Sequence, residues 1–147
     1  MFVICATGCD IYTAVDYHFP YDFDAVYCFI PKYGEVWVKD TTICFSREEL
    51  QLLTLLDGGD GRKYGQLTVG SGDIARQFDL WKCDTVSFFI FDKGIVDNHP
   101  WDYIVKNYCV LQRYDFSEDD LARINCQISY PPTKEMANMH MFPPYDE

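Results

Sequence analysis

Asp84-Thr85-Val86-Ser87-Phe88-Phe89-Ile90-Phe91-Asp92 is the stretch on which the fold turns. Aromatic and β-branched residues fill it and an aspartate closes each end, the pattern of a strand laid through a core. Upstream, Phe2–Ala6, Ile11–Tyr17, Gln66–Val69 and the pair Ala25–Ile30 and Glu35–Lys39 read as further strands. The last two flank a Pro31-Lys32-Tyr33-Gly34 turn, and Thr41–Phe45 extends that strand region.

Helix signals are set among these strands. Ser46 and Glu49 have capping-box spacing, Phe45 and Leu50 form the matching hydrophobic staple, and Gly58-Gly59 stops the helix that Leu52, Leu53, Leu55 and Leu56 continue. Phe116, Ser117, Asp120 and Leu121 repeat the arrangement and predict a helix running to about Gln127. A short helix is predicted over Asp73–Leu80. Another starts at Pro100, capped by Asp97, Asn98 or His99, and runs to Tyr108. Cys109–Tyr114 reads equally as helix or strand. The expected fold class is α+β: a mostly antiparallel sheet with three or four short helices packed on it.

The 147 residues suit one domain, and with 48% hydrophobic and 17% aromatic residues they can fill a core. Residues 1–130 are expected to form that domain. Residues 131–147 hold Pro131-Pro132, Pro143-Pro144, Met136, Met139 and Met141, and are expected to be an extended arm docked on its own domain or on a neighbouring copy. No run reaches the ~18–20 apolar residues of a membrane helix, and residues 1–8 lack the basic leader of a signal peptide. The seven cysteines are odd in number, form no Cys-x-x-Cys pair and sit mostly in apolar runs. They read as buried thiols of a cytoplasmic protein.

Charge separates the chain ends from the middle. The net charge is −11. Residues 1–31 carry four acids and no base, and residues 114–147 carry seven acids against Arg123 and Lys134. Such a surface repels nucleic acid and acidic membranes and attracts basic protein. In Asp16-Tyr17-His18-Phe19-Pro20-Tyr21-Asp22-Phe23-Asp24, three acids and four aromatics share nine residues around a proline. An exposed loop of this composition offers carboxylates to Lys or Arg and rings to guanidinium groups. The candidate partner-binding residues are Asp16, Tyr17, Tyr21, Asp22, Phe23 and Asp24, with Asp115, Glu118, Asp119 and Asp120 as a second acidic patch.

Chemistry is less well marked. Asp16, His18, Asp22 and Asp24 have spacings that recur by chance in acidic chains, so no metal is assigned. His99 between Asp97 and Asp102 resembles a general base, but capping explains Asp97 and Asn98, and no nucleophile elbow accompanies it. Gly58-Gly59-Asp60-Gly61-Arg62-Lys63 and Gly70-Ser71-Gly72 match neither phosphate-binding fingerprint, and no cofactor is expected. The composition points to a non-enzymatic inhibitor that occupies a basic, nucleic-acid-handling surface of a partner. Phage anti-defence (anti-CRISPR) and toxin-immunity proteins supply the analogy. A small hydrolase or nuclease using His18 or His99 is the alternative. An assembly subunit docking through residues 131–147 is the third.

Overall fold

A computed structural model describes the backbone of residues 12–18, 25–31, 41–43, 45–50, 64–71 and 73–146, and the side chains of 41–43, 45–50 and 73–146. In chain order the elements are strands β1 (Tyr12–His18) and β2 (Ala25–Pro31), then helix α1, whose first turn is residues 47–50. Strand β3 (Tyr64–Ser71), helix α2 (Ile74–Trp81), strand β4 (Val86–Asp92) and helices α3 (Lys93–Asn98) and α4 (Trp101–Lys106) follow. Strand β5 (Gln112–Phe116), helix α5 (Glu118–Arg123), strand β6 (Gln127–Ser129), a 3-10 turn (Lys134–Met136) and strand β7 (His140–Phe142) complete the chain.

The expected α+β class holds, with the strands divided between two sheets. One is antiparallel, in the order β2-β4-β5-β7; the other runs β3-β1-β6, with β1 antiparallel to β3 and parallel to β6. Strand β4 is the axis of the larger sheet, and alternation sends its side chains to two faces. Val86, Phe88 and Ile90 join Tyr114, Phe116, Leu121, Ile124, Ile128 and Phe78 in one core cluster. Phe89 and Phe91 join Phe45, Leu50, Val96 and Ile104 in the other. The larger sheet is therefore covered on both faces, by α2 and α5 on one and by α1, α3 and α4 on the other. Between Asp84 and Asp92 the strand tolerates almost no polar residue because neither face meets water.

Capping chemistry sets several boundaries. Ser46 and Glu49 exchange their bonds, the Glu49 amide donating to Ser46 Oγ at 3.2 Å and the Ser46 amide to Glu49 Oε2 at 2.6 Å. Phe45 and Leu50 are buried in one cluster, as the staple requires. Asp73 caps α2, and the box at Ser117 and Asp120 opens α5.

Other boundaries depart from the sequence reading. Helix α5 ends at Arg123, short of Gln127, because Asn125 and Cys126 take left-handed conformations (φ 50° and 55°) and the Cys126 amide closes the helix onto the Leu121 carbonyl. Helix α3 is an addition to the expected set. Asp92 ends β4 and caps α3 through the Ile95 amide, so Asp97 and Asn98 lie inside a helix rather than before one. Pro100 is the residue before α4 instead of its first residue. Five helices are thus present among the described residues, one of them only as its first turn. Residues 41–43 and 45 form no strand, and Cys109–Tyr114 resolves into a loop and the start of β5. The strand expected at Phe2–Ala6, the partner hairpin strand Glu35–Lys39 and the end of α1 lie outside the described residues.

Residues 131–146, expected as an extended arm, fold back on this chain. Met136, Met139 and Met141 are buried in the first core cluster, β7 pairs with β5, and Gln112 Nε2 donates to the Pro143 carbonyl at 2.8 Å. Methionine packs irregular gaps without a strand-like pattern, which hides such a segment in sequence. The Tyr130-Pro131 and Phe142-Pro143 bonds are cis. No helix among the described residues is long and apolar enough to cross a membrane.

Candidate functional site

The acidic run from Asp115 to Asp120 spans the end of β5 and the first turn of α5, and its four carboxylates have three different fates. Asp115 is buried, which corrects the expectation that it lies on an exposed patch. It sits on β5, opposite Ser87 on β4 and His140 on β7. Both oxygens are occupied: Oδ1 accepts from Ser87 Oγ at 2.5 Å and Arg113 Nε at 3.0 Å, and Oδ2 from Arg113 Nη2 at 2.9 Å and His140 Nδ1 at 2.8 Å. Arg113 is itself buried, with its guanidinium carbon 5.4 Å from the centre of the Phe89 ring. A carboxylate in mid-sheet needs this many donors to offset its lost hydration.

Asp120 belongs to the cap. Its Oδ2 accepts from the Ser117 amide at 3.0 Å and from Ser117 Oγ at 2.7 Å, and it is half-buried. Glu118 and Asp119 are exposed in the same turn, where the unpaired amides of a helix start favour negative charge. Of the second acidic patch, these two residues remain fully presented to solvent.

The first patch is placed by register. Asp16, Tyr17 and His18 form the end of β1, beside Gln127, Ile128 and Ser129 of β6 and opposite Gln66, Gly65 and Tyr64 of β3. Strand β6 follows α5 after three residues, so the acid-bearing end of β1 runs alongside the segment that leaves the acidic helix. Ala25 at the start of β2 pairs with Asp92, where α3 begins. The connection between His18 and Ala25 thus leaves the end of β1, between β3 and β6, and arrives at the base of α3. Tyr21, Asp22, Phe23 and Asp24 lie in it and fall outside the described residues.

His99 has no bonded carboxylate among the described residues. Asp97 pairs with Lys93 at 2.5 Å, the His99 carbonyl accepts from Arg47, and the imidazole lies flat on Tyr103, 4.5 Å between centres and 15° between planes. These contacts place it in a helix corner rather than in a general-base dyad. His18 carries only a backbone position, as above. Among the described residues, no three His, Cys, Asp or Glu side chains cluster as metal ligands.

Comparison with known proteins leaves the geometry to speak alone: no family model, curated protein or solved structure matches this chain.

Two features escape the sequence reading. One is the Ser87–Arg113–Asp115–His140 cluster, whose members are scattered over three strands and meet only through register. The other is the exposed Tyr103 on α4. No local spacing marks it, since His99 lies before α4 in extended conformation and the fold alone stacks the two rings.

Proposed function

We propose that this protein is a non-enzymatic inhibitor working in a reducing cytoplasm. Its acidic surface docks on a basic surface of a partner protein, one that otherwise holds nucleic acid. A single observation carries the reading. Glu118 and Asp119 stand exposed on α5, and the strand that follows α5 runs beside the end of β1 that bears Asp16 and Tyr17. The segment bearing Asp16 and Tyr17 and the segment that leaves the acidic helix thereby lie side by side in one sheet of a chain of net charge −11. Long-range attraction of this kind raises association rates, while aromatic anchors slow dissociation.

The test is capture from a lysate of the native host at low and moderate salt. The wild-type chain is compared with a variant carrying Asp22→Lys, Asp24→Lys, Glu118→Lys and Asp119→Lys. A basic protein retained by the wild type, weakened by salt and lost by the variant supports the reading. Retention of no basic protein at either salt, or equal capture by both chains, overturns it. Circular dichroism of the variant separates lost binding from lost fold.

A further inference from the structure

Helices α2, α4 and α5 end in the same way. The amide of Cys83 donates to the Phe78 carbonyl at 3.3 Å, that of Cys109 to the Ile104 carbonyl at 3.0 Å, and that of Cys126 to the Leu121 carbonyl at 2.7 Å. One residue earlier, the amides of Lys82, Tyr108 and Asn125 donate to the carbonyls of Asp79, Val105 and Ala122. Those three residues are left-handed, at φ 50°, 46° and 50°. Each pair of bonds is a complete helix stop with a cysteine directly after the left-handed residue. The residue five places before each cysteine is a buried anchor, and the cysteine packs on its anchor's own cluster. Cys83 joins Phe78 and Cys126 joins Leu121 on one face of the larger sheet, and Cys109 joins Ile104 on the other.

Glycine is the usual left-handed residue of such a stop, because a Cβ there crowds the backbone. Lys82, Tyr108 and Asn125 carry that Cβ, and in α5 Cys126 is left-handed as well, at φ 55°. Other contacts must offset the crowding, and the one common to the three stops is the cysteine side chain against the core. A reduced thiol is small and apolar enough for this place. None of the three is in a disulfide, and each is half-buried, so its sulfur lies at the boundary between core and solvent.

We propose that Cys83, Cys109 and Cys126 form a thiol-sensitive conformational device: reduced, each keeps its helix end closed, and carrying an adduct it lets that end open. The matching chemistry is exchange with a small disulfide such as oxidised glutathione. The cysteine thiolate attacks one sulfur of the reagent, whose S–S bond breaks as the mixed disulfide forms, and the other half leaves as a thiolate that takes up a proton. The protein sulfur is oxidised, the departing half is reduced, and a polar peptide now stands where the thiol met the core. The α5 stop has the widest consequence, because Ile128 of β6 is buried two residues beyond Cys126 and β6 lies beside β1. The device goes beyond the inhibitor reading and does not depend on it.

The experiment treats the full chain with oxidised glutathione, assigns adducts to individual cysteines by mass spectrometry and follows amide exchange in peptides that cover each helix end. An adduct at Cys83, Cys109 or Cys126 is expected to speed exchange at the end of its own helix by about tenfold or more, and dithiothreitol to restore the slow rate. Cys83→Ser opens the end of α2 without reagent, and adding Lys82→Gly to that variant returns the protection, since glycine relieves the crowding. Three results overturn the device: no adduct at any of the three cysteines, adducts that leave exchange at the helix ends unchanged, or faster exchange spread over the whole chain. A Cys83→Ser chain as protected as the wild type overturns it too. Since no host partner takes part, failure here leaves the lysate capture as an independent test of the inhibitor reading.

Discussion

Asp115 and Asp119 lie four residues apart in one acidic run, and their environments are opposite. Asp115 is on β5 between β4 and β7, buried and held by four donor contacts. Asp119 is on the first turn of α5, exposed, and supported by the helix start. A strand in a sheet covered on both faces internalises whatever it carries, so the cost of Asp115 is met by neighbours brought in through register. A helix start has its own positive end and needs no neighbour to hold an acid. Charge composition alone therefore overstates the acidic surface wherever an acid falls on an inner strand.

The largest effect expected from this contrast is at Asp115. Asp115→Ala removes the carboxylate that holds the buried Arg113 guanidinium through two of its nitrogens and should cost about 3–5 kcal/mol in urea unfolding. Replacing both Arg113 and Asp115 with apolar residues of similar size should restore much of that loss. If Asp115→Ala instead behaves like a surface change, Asp115 is not the buried member of the pair and the contrast collapses.

Ser117 is the hinge between the two regions, since its hydroxyl starts α5 just after β5 ends. Ser117→Ala should destabilise by about 1 kcal/mol, measured in the same urea titration, and Ser117→Asp should keep most of the stability. Equal losses for the two would mean that the cap bond contributes nothing.

Tyr114 tests the opposite face of the same strand. Its hydroxyl donates to the Ser129 carbonyl at 2.8 Å, and burial, reinforced by Tyr130, holds the phenol well above its ordinary pKa of 10.0. A raised phenol pKa means that the folded state prefers the neutral ring. Its contribution is complete below pH 10.0 and is lost as the pH climbs beyond it, because the unfolded chain ionises first. Tyr114→Phe should lower stability by about 0.5–1.5 kcal/mol at neutral pH. It should also flatten the fall in stability above the ordinary phenol range. A wild type and variant that lose stability in parallel with alkali would refute the burial argument.

Much of this architecture can be read from local grammar. The boxes at Ser46/Glu49 and Ser117/Asp120, the short helix after Asp73 and the strand through Phe88 to Phe91 each rest on residues close in sequence, and each is present. What escapes depends on residues distant in sequence or on backbone choices with no strong marker. Asp92 serves as strand end and helix cap at once, which disguises α3, and Gly94 weakens any helical signal there. Asn125 and Cys126 turn left-handed without a glycine to announce it. The burial of Asp115 follows from its register against Ser87 and His140, which no window of the sequence contains. The α5 part of the candidate surface is legible because helix starts advertise their acids. The exposed ring of Tyr103, on the other face of the sheet, is hidden behind a proline and histidine that read as capping residues.

Glu118 and Asp119 close the comparison, since there stability and binding separate. Each acid interacts with the start of α5 at the surface, so Glu118→Gln and Asp119→Asn should each lower stability by only about 0.3–1 kcal/mol, and less as salt is raised. On the proposed inhibitor reading, the same pair of changes removes two of the exposed charges that would draw a basic partner, so that partner's association rate should fall severalfold with little change in its dissociation rate. Measured on one double variant by urea unfolding and by surface-plasmon kinetics, the two quantities must move by very different amounts. If stability falls as far as it does for Asp115→Ala while association is unchanged, the acids of α5 are structural in the same sense as Asp115. The turn would then be an interior feature of the fold and not a face offered to a partner.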